Sequence, residues 1–259
     1  MNLSKATGLV GLAVASTGCK IPPPAPEDFD NLNSYLYQYV DNDPEALKLG
    51  MNNLETWMLD NHLEVQEGYV INNLSVDAIH TVIPSYTPDV ALIGVAISTD
   101  LDNPPIHVAR NFYEEDPKST NPNKVFLSDS ACFIAQECAS TSYRETLDND
   151  FPLGIVVTTT LISQAEWVET EHGTALVQRR WFDAPAQVNV GWFELLYEFA
   201  FEVAIPLEDG GTRRVSSSWI VAQLWDSPVP EDILIWLGID VLRDTHADLD
   251  SWIDRFYDE

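Results

Sequence analysis

The sequence predicts an α+β domain in which an antiparallel, curved sheet of about six to eight strands follows two helices and is closed by a long C-terminal helix. Three observations carry this expectation. Strand-like runs succeed one another through the middle of the chain with no helical pattern between them, which implies antiparallel pairing. Two helical stripes of apolar residues precede those runs, and one long stripe ends the chain.

Taken in order, the chain begins with a segment that is not part of the domain. Only Lys5 stands before the apolar run 6–15, which has the length of an export signal's core and is too short to span a bilayer. Ser16-Thr17-Gly18-Cys19 follows. It resembles the lipobox of bacterial lipoproteins, two small residues before a cysteine whose sulfur takes up diacylglycerol before cleavage, although Ser16 stands where that pattern usually has leucine. The resemblance implies a lipoprotein signal peptide over residues 1–18 and an acylated Cys19 whose partner is the lipid bilayer. Lys20, rather than Asp, at the next position implies delivery to an outer membrane. The alternative is an ordinary cut after Ala13-Val14-Ala15, which leaves Cys19 as a thiol and an odd cysteine count in an oxidising compartment. Residues 19–27, with Ile21-Pro22-Pro23-Pro24-Ala25-Pro26 at their centre, read as a stiff Pro-rich acidic tether. Residues 28–259 then form one domain, with no internal linker or repeat.

Phe29, Leu32, Leu36 and Val40 recur at helical spacing behind Glu27-Asp28, and Asp43-Pro44 reads as an N-cap with proline at the first helical position. Leu47, Met51, Leu54 and Met58 continue as a second helix. The texture then becomes strand-like over residues 69–79, 90–98, 106–113, 153–164 and 174–182. The clearest strand alternates Phe193, Leu195, Tyr197, Phe199, Phe201 and Val203 with Glu194, Leu196, Glu198, Ala200 and Glu202. Asp209-Gly210-Gly211 supplies its hairpin turn. A two-residue loop, whether Asp209-Gly210 or Gly210-Gly211, groups Arg214, Ser218, Ile220, Ala222 and Leu224 with Phe199 and Phe201. Glu194, Glu198 and Glu202 then share the other face with Trp219, Val221 and Trp225.

Ile235, Ile239, Leu242, His246, Leu249, Ile253 and Phe256 line one stripe of the last helix, a rod of about 40 Å. A curved antiparallel sheet closed by such a helix resembles the helix-grip architecture of START-like lipid-binding domains. The resemblance lies in element order over residues 65–257 and implies a hydrophobic ligand held between sheet and helix.

Composition excludes some partners. The net charge is −28, and losing Lys5 with the signal makes the mature chain one unit more negative, so nucleic acid and anionic headgroups are repelled. The acids are scattered over a solvated surface rather than gathered into a ligand loop. Asp41-Asn42-Asp43 begins like a calcium loop but has Ala46 and Asn52 where glycine and glutamate belong. His62, His80, His107, His172 and His246 stand far apart with no metal-ligand spacing. No nucleophile elbow, zinc-protease, phosphate-loop or dinucleotide motif occurs, so no catalytic residue, metal or cofactor is assigned.

Cys132 and Cys138 lack the two-residue spacing of a redox pair and read as a structural disulfide. In Arg179-Arg180 and Arg213-Arg214 one side chain of each pair must head inward, either to a salt bridge or to a ligand. Two functions follow. In the first, a carrier or sensor encloses a hydrophobic small molecule against Tyr197, Phe199, Phe201, Ile220 and Leu224, capped by the helix around Trp236, with Arg214 meeting a carboxylate or phosphate head. In the second, a non-enzymatic interaction module meets a protein partner through Trp219, Val221 and Trp225.

Overall fold

The computed structural model describes residues 22–87, 92–113, 123–151, 154–225 and 227–257; the signal segment and Cys19 lie outside them. Helix α1 (Phe29–Tyr39) starts where the Asp28 side chain accepts from the Asn31 amide, and α2 (Pro44–Gln66) where Asp43 accepts from Ala46 with proline at the first turn. These caps satisfy amides that have no partner within the helix. Part of the expected spacer does not stand free. The Tyr35 hydroxyl donates to the Pro23 carbonyl at 2.8 Å, and the Asn53 amide donates to Ala25 and Pro26 at 3.2 and 2.8 Å, which fastens residues 23–26 to the helix pair.

The sheet consists of β1 (Tyr69–Ile71), β2 (Ile93–Leu101), β3 (Lys124–Phe126), β4 (Ser140–Phe151), β5 (Ile155–Thr170), β6 (Gly173–Phe182), β8 (Phe193–Pro206) and β9 (Thr212–Leu224), with two-residue strands β7 (Gln187–Val188) and β10 (Ser227–Pro228) at its margins. Its order is β1-β2-β9-β8-β6-β5-β4-β3, with β7 on β5 and β10 on β9, and every pairing is antiparallel. The eight strands of this path agree with the predicted class. A bulge between Leu195 and Tyr197 bends β8.

Two strand expectations are corrected. Residues 106–113 belong to helix α4 (Pro105–Tyr113), where Pro105, Val108, Ala109 and Tyr113 are buried at helical spacing behind a proline start. The β-branched Ile106 and Val108 mislead because burial against the sheet outweighs their local preference. Residues 69–79 divide into β1 and a short helix α3 (Val76–His80), capped by Ser75. A further short helix, α5 (Ser130–Ile134), precedes β4.

Helix α6 (Glu231–Tyr257) has the predicted length of 27 residues and runs along the inner face over β2 and β9. Gly238 allows the approach, since a Cβ there would meet Val95 at 2.7 Å. Leu242 packs with Val95 and Ile97, and Leu249 and Ile253 pack with Val108, Leu176 and Ala204. The outer face is covered by α1, α2 and α3, which enclose Phe199, Phe201, Trp219 and Val221 with Leu36, Tyr37 and Leu54. The sheet is thus covered on both sides, a helix-grip-like arrangement with a second helical layer behind it. No helix among the described residues is long and apolar enough to cross a membrane.

Candidate functional site

The β8–β9 connection decides which side chains face the interior. Pro206 pairs with Thr212, so the loop is the five residues 207–211, with Gly210 at φ +91° and Asp209 Oδ1 accepting from the Gly211 amide. An odd loop exchanges the faces expected from a two-residue turn. Phe199 stands opposite Trp219 and Tyr197 opposite Val221, while Glu198 stands opposite Ile220 and Glu202 opposite Ser216.

The expected ligand set is therefore divided. Tyr197, Phe199 and Phe201 lie on the outer face against α1 and the segment carrying Tyr86. Ile220 and Leu224 lie on the inner face beside the start of α6 with Phe193, Leu195 and Leu234. Trp236 points away from the sheet and is 63 % exposed, so it caps nothing. Arg214 does face inward but is fully buried in the wall. The expected interface is corrected as well, because Trp219 and Val221 are buried under the N-terminal helices. Only Trp225 of that set is exposed, with its ring 5.8 Å from that of Trp192.

Successive rows across the inner face carry a polar network. Arg214 Nε donates to Glu202 Oε1 at 3.3 Å, and Nη1 donates to Asp250 of α6 at 3.2 Å. Glu202 Oε2 accepts from Gln178 at 3.1 Å, Gln178 Oε1 accepts from the Tyr113 hydroxyl at 2.9 Å, and that hydroxyl shares a 2.8 Å hydrogen bond with Ser163. The chain ties α6, β9, β8, β6, α4 and β5 together. Burial pushes the Tyr113 phenol up and the Tyr143 phenol to about 12, so both are neutral donors.

His246 sits beside this network. Thr99 Oγ1 lies 2.7 Å from its Nδ1 and Ser216 Oγ 2.7 Å from its Nε2. Burial, and then the Arg214 charge, hold its pKa down to about 2, which leaves a neutral imidazole. Serine and histidine in contact suggest a nucleophile and base. Ser216 and His246 are nonetheless 4 % and 2 % exposed, so no substrate reaches them, and the pair is an interior lock between α6 and β9.

The next row reads Val95, Ser218, Ala200, Arg180, Ser163 and Tyr143 from β2 to β4. Arg180 is diagonal to both Glu198 and Glu202 on β8 and is flanked by the small side chains of Ala200 and Ser163. Its guanidinium lies 5.7 Å from the Phe112 ring centroid and makes no hydrogen bond or close ion pair among the described residues. Desolvation pulls its pKa down, but the Tyr143, Glu202, Glu198 and Tyr113 groups together pull harder and raise it. Glu198 is pushed up by burial against the opposing pull of Arg180. Both residues are half-buried. Lys124 edges the same region, its ammonium donating to the Phe112 carbonyl and lying 4.0 Å from the Tyr143 ring centroid; burial pushes it down.

Arg180 entered the sequence reading only as one of the Arg179-Arg180 pair, and Glu198, Gln178, Tyr113 and Lys124 were not singled out as ligand groups. A signal was present for Glu198: with Glu202 it interrupts an apolar strand four residues apart, and a five-residue loop places both on the same face as Arg214 and Ile220. Of the consecutive arginines, Arg213 pairs with Asp100 at 2.8 Å and Arg214 with Glu202, as the salt-bridge reading holds. Arg179 is buried on the outer face, donating to Gln164, the Tyr37 carbonyl and Thr81. Cys132 and Cys138 are joined by a disulfide, and among the described residues no three His, Cys, Asp or Glu side chains are placed to hold a metal ion.

No protein-family model matches the chain. No curated protein matches it. Among solved structures, Ara h 8.0201 is similar over 64 % of this chain and 97 % of its own, at 11 % identity and a TM-score of 0.36. A putative uncharacterized protein from Rhizobium leguminosarum is similar over 62 % and 94 %, at 10 % identity and 0.32, and a protein from Chromobacterium violaceum over 56 % and 91 %, at 15 % identity and 0.24. At such scores these likenesses carry no argument about this chain.

Proposed function

We propose that this chain is an exported lipoprotein, acylated at Cys19 and held at an outer membrane, whose domain binds a small hydrophobic molecule with one polar end between the sheet and α6. It acts as a carrier or sensor, without catalysis. The observation that supports the reading is Arg180, a half-buried guanidinium on the inner face of the sheet that makes no hydrogen bond to a described group and lies 5.7 Å from the Phe112 ring centroid. Glu198, Glu202 and the two phenols keep it charged, and its N–H groups, which donate to no described residue, can meet a ligand's polar end. Glu198 and the Tyr143 and Tyr113 hydroxyl groups supply further polar contacts nearby, and Leu195, Ile220 and Phe112 supply apolar surface, the mixture usual in small-molecule sites.

Native mass spectrometry of protein from its own host, with extraction of co-purifying lipids, tests the reading. The expected result is a bound small molecule that Arg180→Met retains roughly tenfold less well. A protein that emerges empty and takes up no fatty acid, sterol or fluorescent lipid probe overturns it. The mass of the N-terminal peptide tests the anchor separately, and a soluble form beginning at Ser16 rules out acylation.

Trp225 favours a second reading as a surface interaction module. It is 73 % exposed and stands against Trp192. Trp225→Ser with unchanged stability but loss of a pull-down partner supports that reading. Trp219 and Val221 have no part in it.

A further inference from the structure

A second site lies on the outer face, roughly 16 Å further along β8 than Ala200, beside Arg180. There α2 passes the β5–β6 and β8–β9 turns and leaves a cleft of ≈ 100 Å³. Its walls are apolar, formed by Met58 and Leu59 of α2 and by Ile205, Pro206 and Leu207. Glu55 also lines it. This side chain is 8 % exposed, and its Oε1 is buried with no hydrogen-bond partner. Thr170 and His172 favour the ionised carboxylate from nearby, but Oε1 itself accepts no hydrogen bond, and a buried carboxylate oxygen so placed is an unmet demand that a ligand can answer.

The surrounding charges indicate what kind of donor fits. Arg213, also at the cleft, has its guanidinium committed, with Nε and Nη2 donating to the two Asp100 oxygens at 2.8 Å each and Nη1 reaching the Met58 carbonyl at 3.5 Å. Glu208 and His172 stand exposed at the rim. An anion would meet Glu55 and Glu208 with no free guanidinium to hold it, on a chain of net charge −28. A metal ion lacks a third ligand among the described residues. The volume suits a ligand of roughly three to five heavy atoms.

We propose that this cleft binds a small linear primary alkylammonium, with its charged end on Glu55 Oε1 and its carbon chain against Ile205 and Leu207. The site is independent of the region around Arg180 and lies on the other side of the sheet.

Calorimetric titration of the full-length chain with butylammonium chloride, beside 1-butanol and sodium butyrate of the same chain length, tests the proposal. Burial pushes the Glu55 carboxyl up, so about pH 8 keeps it ionised. Saturable one-to-one binding of butylammonium is expected, with butanol and butyrate at least roughly tenfold weaker. Glu55→Gln, which conserves volume, is expected to weaken butylammonium by a similar factor while its unfolding midpoint stays near that of the unmodified chain. Should that variant not fold, amide shift mapping on the unmodified chain decides, with perturbation centred on Glu55, His172 and Leu207 supporting the site. No saturable binding, equal binding of butyrate or butanol, undiminished binding by a folded Glu55→Gln, or shifts centred elsewhere each overturn it.

Discussion

Arg214 Nε lies 3.3 Å from Glu202 Oε1 where the two side chains are 0 % and 3 % exposed, so the pair is held together inside the molecule. Asp250 of α6 reaches the same guanidinium from a side chain that is 40 % exposed, and Gln178 occupies the second Glu202 oxygen. Arg214 Nη2 keeps no partner. A buried pair of this kind adds little beyond an apolar pair of equal volume, but removing one member leaves the other charged and unmet. Glu202→Ala is therefore expected to cost about 3–5 kcal/mol in urea denaturation. The double variant Glu202→Leu, Arg214→Met is expected to cost clearly less than the sum of its single changes. Additive losses would show that the contact is not energetically coupled.

The pH dependence of stability is set in part by His246. Its folded pKa is about 2, whereas an unfolded imidazole takes up its proton as pH falls through ~6.5. Below that value the unfolded chain binds one more proton than the folded one, so stability falls as pH falls, with a slope approaching ~1.4 kcal/mol per pH unit. His246→Gln removes this contribution. Its stability, measured by denaturation between about pH 6 and 4, is expected to fall less steeply than that of the unmodified chain, although it starts lower through loss of the Thr99 and Ser216 contacts. Parallel curves would contradict the buried neutral imidazole.

Trp219 and Trp225 should respond in opposite ways to truncation. The Trp219 ring is fully buried, its Nε1 donates to the Asn72 carbonyl at 2.9 Å, and it meets Tyr37 edge to face at 6.0 Å. Trp219→Ser is expected to cost about 3–5 kcal/mol. Trp225→Ser should stay within about 0.5 kcal/mol, as a surface change does. Comparable losses at both positions would argue against the observed register.

The Cys132–Cys138 disulfide closes a loop of five intervening residues, one of which, Phe133, stacks on Trp167. Cys132→Ser with Cys138→Ser is expected to lower stability by about 2 kcal/mol on the chain-entropy account. Alkylation of the denatured, unreduced protein at both positions would show that the bond is absent.

What could be read directly was whatever depends on neighbours in sequence. The caps at Asp28 and Asp43, the α1 and α2 stripes, the β8 alternation and the 27-residue α6 are repeating patterns of burial, and each leaves its period in the chain. The pairing of Cys132 with Cys138 follows from the cysteine count, since an acylated Cys19 leaves those two alone. Helix α4 escaped because Ile106 and Val108 favour strands locally, and only the sheet beneath them makes helical burial the better solution.

The sequence alone determined an α+β chain with helices first, an antiparallel sheet and a long closing helix, because those depend on local periodicity and turn chemistry. Tertiary structure decided which face of β8 meets α6 and which meets α1. That choice turns on one number, the five residues of the 207–211 loop, since side chains alternate with period two and a change of one residue in loop length exchanges the faces of β9 relative to β8. Through it Phe199, Phe201 and Trp219 became outer core and Trp236 was left without a cavity to cap. Arg180, Glu198 and Glu202 came together inside through cross-strand register, which joins residues about twenty apart in the chain and has no signature within either strand.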